Sequence, residues 1–217
     1  MSRIAKIMSS QYKKSVKADQ PNILFIMDET DIKIWYILVC NLDDPYKNGE
    51  YIFKLSVKDN FPDTPPSLEC LTPNGLFQTG GKICVSIGEF HPESWRKSLG
   101  MNGFANIGVV NGMIVWEPLV DSGGIRIIRD EYLLSMRPKF ALKSEKYNRK
   151  LYPKLMEDFD NYMESNNNLS AVVELMKRRI SSNQCGAASA NDGKTGLEKV
   201  MSDIKLLDTK IPKPKKE

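Results

Sequence analysis

Between residues 23 and 71, apolar runs alternate with short polar breaks. Residues 23–27, 32–40 and 51–57 are apolar, the last two rich in β-branched and aromatic side chains, and this predicts three strands. Asp44-Pro45 through Gly49 supplies the turn between the second and third. A short fourth strand is predicted at 68–71, just after a proline pair that cannot continue a ladder. Ahead of the strands, Ile4, Ile7, Met8 and Tyr12 recur at helical spacing within residues 2–14. Behind them a helix is predicted over 102–115, carrying Phe104, Ile107, Val110, Met113 and Ile114. Its Gly103, Gly108 and Gly112 weaken it, so it must lean on the sheet. Further helices are predicted over 130–136, stopped by Pro138, over 142–163, and over 169–180. Strands joined by short turns make a four-stranded antiparallel meander with helices outside it, an α+β fold.

After residue 181 the pattern fades. Residues 181–194 hold Ser, Asn, Gly and Ala with almost nothing to bury, the composition of a linker. Leu197, Val200, Met201, Ile204 and Leu207 then return at helical intervals, before an end with four lysines in its last eight residues. That stripe suits either a partner-binding helix or one that folds back on the domain, and both readings stay open. The expected division is a core over 1–165, an additional helix over 166–180, and a linker, amphipathic helix and basic tail over 181–217. No internal repeat is present.

Composition narrows the classes. At 217 residues, 41% hydrophobic and 27% charged, the chain is long and apolar enough for a real core. A net charge of +4 is too small to make nucleic acid the expected partner. Its longest apolar run, residues 34–40, falls far short of the ~20 residues that cross a bilayer. Cys40, Cys70, Cys84 and Cys185 show no C-x-x-C pairing and follow no secretory leader. Free thiols in a reducing compartment, cytoplasm or nucleus, are therefore expected.

The chemistry is concentrated in residues 72–95. Thr72-Pro73-Asn74-Gly75 is a turn signature, with Pro presetting φ and Asn-Gly tolerating its exit. Such a turn can hold the Asn74 amide beside a nearby thiol. Cys84 follows Gly80-Gly81-Lys82, a flexible and cationic approach that favours the attacking thiolate. Cys40, inside an apolar run, reads as buried instead, and Cys70 is open to either reading. A thiol with a neutral donor at hand suits acyl transfer between thiols and amines. Asn74 is expected either to donate to the oxyanion of a tetrahedral intermediate or to brace the loop that shapes the site. His91 is the only histidine, which excludes multi-histidine zinc sites and leaves one candidate imidazole base. A Cys84–His91 dyad would suggest a thiol protease, but known protease dyads use a distant histidine and their local signatures are missing. On sequence, His91 and Trp95 are read as loop-packing residues. Gly103 to Gly108 lacks the Lys and Ser/Thr of a phosphate loop.

Three blocks carry a family resemblance: Thr72-Pro73-Asn74-Gly75-Leu76-Phe77, Lys82-Ile83-Cys84-Val85-Ser86-Ile87 and His91-Pro92-Glu93-Ser94-Trp95. In content and spacing they resemble ubiquitin-conjugating enzymes, in particular the endoplasmic-reticulum-associated, usually tail-anchored branch. Phe61-Pro62-Asp63-Thr64-Pro65-Pro66, Asp44-Pro45-Tyr46 with Gly49, and Arg3-Ile4-Ala5-Lys6 are similar to further family segments. The likeness covers residues 3–164. Thr72 stands where most of the wider family has His, as in the reticulum branch, and no tail anchor is seen.

The resemblance implies a ubiquitin-conjugating fold of N-terminal helix, four-stranded meander, active-site loop and C-terminal helices. It implies that Cys84 takes ubiquitin as a thioester from an activating enzyme and passes it to a substrate amine or hydroxyl. Neither a metal nor a cofactor is expected at the conjugating step, ATP being used upstream. Arg3 and Lys6 are implied to dock the activating enzyme. Phe61 and the loop after Trp95, with Ser98, are implied to receive a RING-type ligase, although Lys97 replaces a family proline. Glu117 and Asp121 are both candidates for orienting the acceptor. A monomer is expected. The rivals are a non-catalytic ubiquitin-binding scaffold of the same fold and, more remotely, a thiol protease.

Overall fold

A computed structural model describes residues 2–115, 128 and 130–185. Residues Met1–Arg178 cluster as one compact unit, and of the remainder only 179–185 is described. Helix α1 (Arg3–Lys17) is capped by the Ser2 hydroxyl, which accepts from the Ala5 N–H at 3.2 Å. Strands β1 (Ile23–Met27), β2 (Ile34–Val39), β3 (Tyr51–Ser56) and β4 (Ser67–Cys70) follow as an antiparallel meander. A fifth strand, β5 (Lys82–Ile83), adds to β4 with Leu68 opposite Ile83 and Glu69 opposite Lys82. Two residues are too few for a period to register, so the predicted count of four was one short.

Alternation sorts the strand residues into two separate cores. Phe25, Ile37 and Phe53 lie in register and join one apolar cluster, with Met8 of α1 and Met101, Phe104 and Val109. Their neighbours Leu24, Leu38 and Ile52, also in register, join the other. That second face packs against α6 (Pro153–Ser165) through Met156, Phe159 and Met163, and against α7 (Ser170–Cys185) through Ala171, Val172 and Leu175. Asp19 fixes the start of α7 by accepting from the Ser170 N–H (2.7 Å) and hydroxyl (2.9 Å).

Three element boundaries differ from expectation. The rod expected at 102–115 begins earlier, as α2 (Gly100–Ala105), passes through a π-helical turn (Asn106–Val110) and ends as α3 (Asn111–Val115). At the widening the Asn106 side-chain amide donates to the Asn102 carbonyl at 2.9 Å, a local competitor for the backbone ladder. The short helix expected at 130–136 is α4 (Glu131–Ser135), which ends before Pro138. The Leu134 carbonyl, which a proline cannot serve, accepts from Arg137 Nε at 2.8 Å, and Pro138 falls in the first turn of α5 (Arg137–Leu151), where a missing N–H costs nothing. The single helix expected at 142–163 is split, because Pro153 cannot continue α5 and Tyr152 turns out of helical geometry at φ −129°. Finally, helix continues through 181–185, residues read as linker, so Cys185 ends α7. The 197–207 stripe and the basic tail lie outside the described residues. Among the described residues no helix is long and apolar enough to cross a membrane.

Helix α5 buries Phe140, Ala141 and Tyr147 and adds polar pins to them. Asn148, fully buried, donates to the Glu50 carbonyl at 2.8 Å and accepts from the Thr72 hydroxyl at 2.6 Å. Ser144 accepts from the Glu50 N–H at 2.8 Å and donates to the Ala141 carbonyl at 2.7 Å. Helix α6 is held by apolar burial. Phe159→Ala should therefore cost about 3–5 kcal/mol of unfolding free energy. The readout is a lower urea midpoint at unchanged slope. A loss below about 1 kcal/mol would show that α6 is not packed on the sheet.

Candidate active site

The turn after β4 is built around one buried amide. Asn74 has no exposed surface, and both ends of its side chain are engaged. Its Oδ1 accepts from the Leu76 and Phe77 N–H groups at 2.9 and 2.8 Å. Its Nδ2 donates to the Thr72 carbonyl at 3.1 Å and to Cys70 Sγ at 3.0 Å. Two donors and two acceptor sites are the full capacity of the group. Of the two expected roles, the geometry is that of the brace, and the thiol beside Asn74 is Cys70 rather than Cys84. Cys70 itself donates to the Thr72 carbonyl at 3.1 Å, and complete burial pushes its thiol far up, so it stays protonated. Gly75 holds φ at +77°, and a side chain there would meet Arg137 Cγ at 2.7 Å and the Leu133 carbonyl at 2.8 Å.

Cys84 lies one residue beyond β5. Its neighbours Ile83 and Val85 belong to the first apolar cluster; Cys84 joins neither cluster but is itself buried, with 9% of its surface exposed. Its Sγ lies 3.1 Å from Nε2 of His91, and Nδ1 of the same ring lies 3.1 Å from Oε1 of Glu93. The loop between is closed on itself: the Gly88 N–H donates to the Val85 carbonyl (3.0 Å) and the His91 N–H to the Gly88 carbonyl (2.9 Å). Lys82, expected to favour the thiolate, spends its charge on Glu89 at 2.8 Å, where the carboxylate is only 14% exposed. Glu93 is held below the usual carboxylate range by its own backbone N–H and by His91. The reading of His91 as a packing residue is thus corrected: its ring is half exposed and spans a thiol and a carboxylate. Its closeness in sequence to Cys84 was the available signal; the loop closure that turns it inward was not.

Trp95 does pack. Its Nε1 donates to the Pro62 carbonyl at 2.8 Å, and its ring stands 6.2 Å from that of Phe61 and 6.1 Å from that of Phe104. This buries Phe61 completely, which corrects its reading as a ligase contact: the ring faces the core, not a partner. Ser98 is exposed in the turn Lys97–Leu99. Asp63 accepts from Lys97 and pairs with Arg3 at 3.7 Å, so the start of α1 and the Ser98 turn share one carboxylate. Arg3 and Lys6 are both exposed. Glu117 and Asp121 lie outside the described residues. Among the described residues no group of His, Cys, Asp and Glu side chains converges as a metal site.

A family model described as ubiquitin-conjugating enzyme matches residues 7–105. Ubiquitin-conjugating enzyme E2 J2-like of Dictyostelium discoideum is similar at 31% identity over 158 residues, 70% of this chain and 88% of that protein. Ubiquitin-conjugating enzyme E2 34 of Arabidopsis thaliana is similar at 28% identity over 71% of this chain, which spans 65% of that relative's length. A solved structure described as a novel ubiquitin-conjugating enzyme matches with a TM-score of 0.50 at 12% identity, over 67% of this chain and 95% of that one. It speaks for the fold alone.

The brace assignment of Asn74 has a direct check. Asn74→Ala leaves two backbone N–H groups and the Thr72 carbonyl without that partner, at a cost of about 2 kcal/mol. A fall in melting temperature of about 4–8 °C is expected. An unchanged melting temperature with impaired chemistry would restore the oxyanion role.

Proposed function

The chain belongs to the ubiquitin-conjugating enzyme family, and we propose that Cys84 carries ubiquitin as a thioester between an activating enzyme and an acceptor. In the first step the Cys84 thiolate attacks the thioester carbonyl joining the ubiquitin C-terminus to the activating enzyme. A tetrahedral intermediate collapses, the activating enzyme's cysteine leaves as a thiolate, and the acyl group now sits on Cys84. In the second step an amine or hydroxyl attacks the same carbonyl, forming an amide or ester and expelling the Cys84 thiolate. The attacking group must shed a proton, and His91 is the base placed to take it. The observation that carries this reading is the 3.1 Å contact between Cys84 Sγ and His91 Nε2, on a buried sulfur whose imidazole partner is half exposed. A structural cysteine would have no use for an imidazole partner. Arg3 and Lys6 on α1 are proposed to meet the activating enzyme, and the exposed turn bearing Ser98 to meet a RING-type ligase. No cofactor is invoked for either step.

A thiol hydrolase is the second reading, because the same contact pairs a thiol with an imidazole. Family membership weighs against it. A non-catalytic scaffold is weakened by the presence of the cysteine.

Incubation with activating enzyme, ubiquitin and ATP should give an adduct that thiol reductant removes. Cys84→Ala should give none, and Cys84→Ser a reductant-resistant oxyester. His91→Ala should leave charging largely intact and slow discharge to free lysine by about 10²-fold. Absence of any adduct on the native chain overturns the proposal. Peptide cleavage that His91→Ala abolishes would replace it with the hydrolase reading.

A further inference from the structure

We infer that Glu93 is a positioning residue, which sets the tautomer of His91 so that a bare Nε2 faces the reacting centre at Cys84. The inference rests on the transfer reading above and adds a residue to it. Its starting point is geometry: Nδ1 of His91 lies 3.1 Å from Glu93 Oε1, while Nε2 of the same ring lies 3.1 Å from Cys84 Sγ. A neutral imidazole bears one proton, and either nitrogen can hold it. An ionised carboxylate accepts hydrogen bonds and donates none, so opposite Glu93 the proton belongs on Nδ1. Nε2 is then left with its lone pair directed at the sulfur. Without the carboxylate nothing in this contact set chooses between the two tautomers, and the form with hydrogen on Nε2 cannot act as a base there.

Backbone geometry supports the arrangement. His91 precedes the 3₁₀ turn Pro92–Ser94, which carries Glu93 two residues beyond the ring it holds. The Glu93 carboxyl is kept ionised by its own N–H as well as by His91. The other carboxylate of the loop, Glu89, is taken by Lys82 at 2.8 Å, so Glu93 is the one bonded to the ring.

The consequence for transfer follows atom by atom. An attacking amine or hydroxyl gives its proton to Nε2 as its bond to the thioester carbonyl forms. The resulting imidazolium donates from Nδ1 to Glu93, which stabilises the charge without itself being protonated. When the intermediate collapses, the C–S bond breaks and the Nε2 proton is delivered to the departing sulfur. Glu93 touches none of the reacting atoms; it acts through the ring.

The chain's single histidine makes the test specific. In the uncharged full-length protein, imidazole ¹⁵N shifts of the neutral ring should report hydrogen on Nδ1. Glu93→Ala should give a mixture of tautomers, and Glu93→Asp should return toward the native spectrum. Discharge of the ubiquitin thioester to free lysine should fall about tenfold in Glu93→Ala, recover in Glu93→Asp, and leave charging unchanged. Glu93 is largely exposed, so the melting temperature should stay put. An unaltered tautomer in Glu93→Ala overturns the inference, as does discharge within about twofold of native. Charging of the native chain with such a null result removes Glu93 alone; failure of the native chain to charge removes the transfer reading itself.

Discussion

Buried polar atoms at the turn after β4 leave the chain almost no choice of path. Thr72, Asn74 and Asn148 are all without exposed surface, and each lies where an unpaired donor or acceptor would be costly. Thr72 solves this with one hydroxyl, accepting from the Ile52 N–H at 2.8 Å while donating to Asn148 at 2.6 Å. A bulkier imidazole, usual at this position in the wider family, would have to displace that pairing. The knot joins β3, the turn and α5, and β5, which ends one residue before Cys84, is laid against β4. Apolar packing gives the molecule its stability, but this polar cluster decides where the thiol loop starts.

Chemistry at the loop is the product of competing claims on charge. Lys82 sits two residues before the sulfur, yet Glu89 holds it. Asn74 lies in the turn that shapes the site, yet its donors are spent on Cys70 and the Thr72 carbonyl. What remains for Cys84 is the His91 imidazole, with Nε2 3.1 Å from the sulfur. The sulfur's nearest polar partner is therefore an imidazole rather than a lysine.

Some of this was legible in the residues. The meander could be read because β1 to β3 are long, apolar and separated by turn signals, and Cys84 stood out because its approach is polar and glycine-rich where the run around Cys40 is not. β5 was invisible, since a two-residue strand has no period. The break at Tyr152-Pro153 was signalled by the proline but hidden by helical apolar spacing on both sides. Phe61 was misjudged because its burial comes from a distant loop: Trp95, reaching the Pro62 carbonyl, covers it, a contact that local propensity does not contain. His91 was misjudged although its contacts are near in sequence: Gly88 bonding Val85 and His91 bonding Gly88 close the loop on itself and bring the ring to the sulfur.

Both faces of the sheet carry an apolar cluster, although Tyr36, Lys54 and Glu69, in register on the second face, line an open cavity beside α6, and this changes how its alignment is enforced. Where one face is wet, sliding a strand by a single step drives polar groups inward and is forbidden by solvation. Sliding β2 here would exchange Trp35, Ile37 and Val39 for Leu38 and Cys40, apolar for apolar. Lys54 is the only charged side chain in β1 to β3, so polarity offers a single marker. Alignment is then selected largely by shape, with Trp35 and Phe53 packed in the cluster that holds Met8, and Tyr36 and Ile52 in the one that holds Phe159. Mistakes in pairing would be greasy and compact rather than solvated, which makes steric fit the proofreader of this sheet.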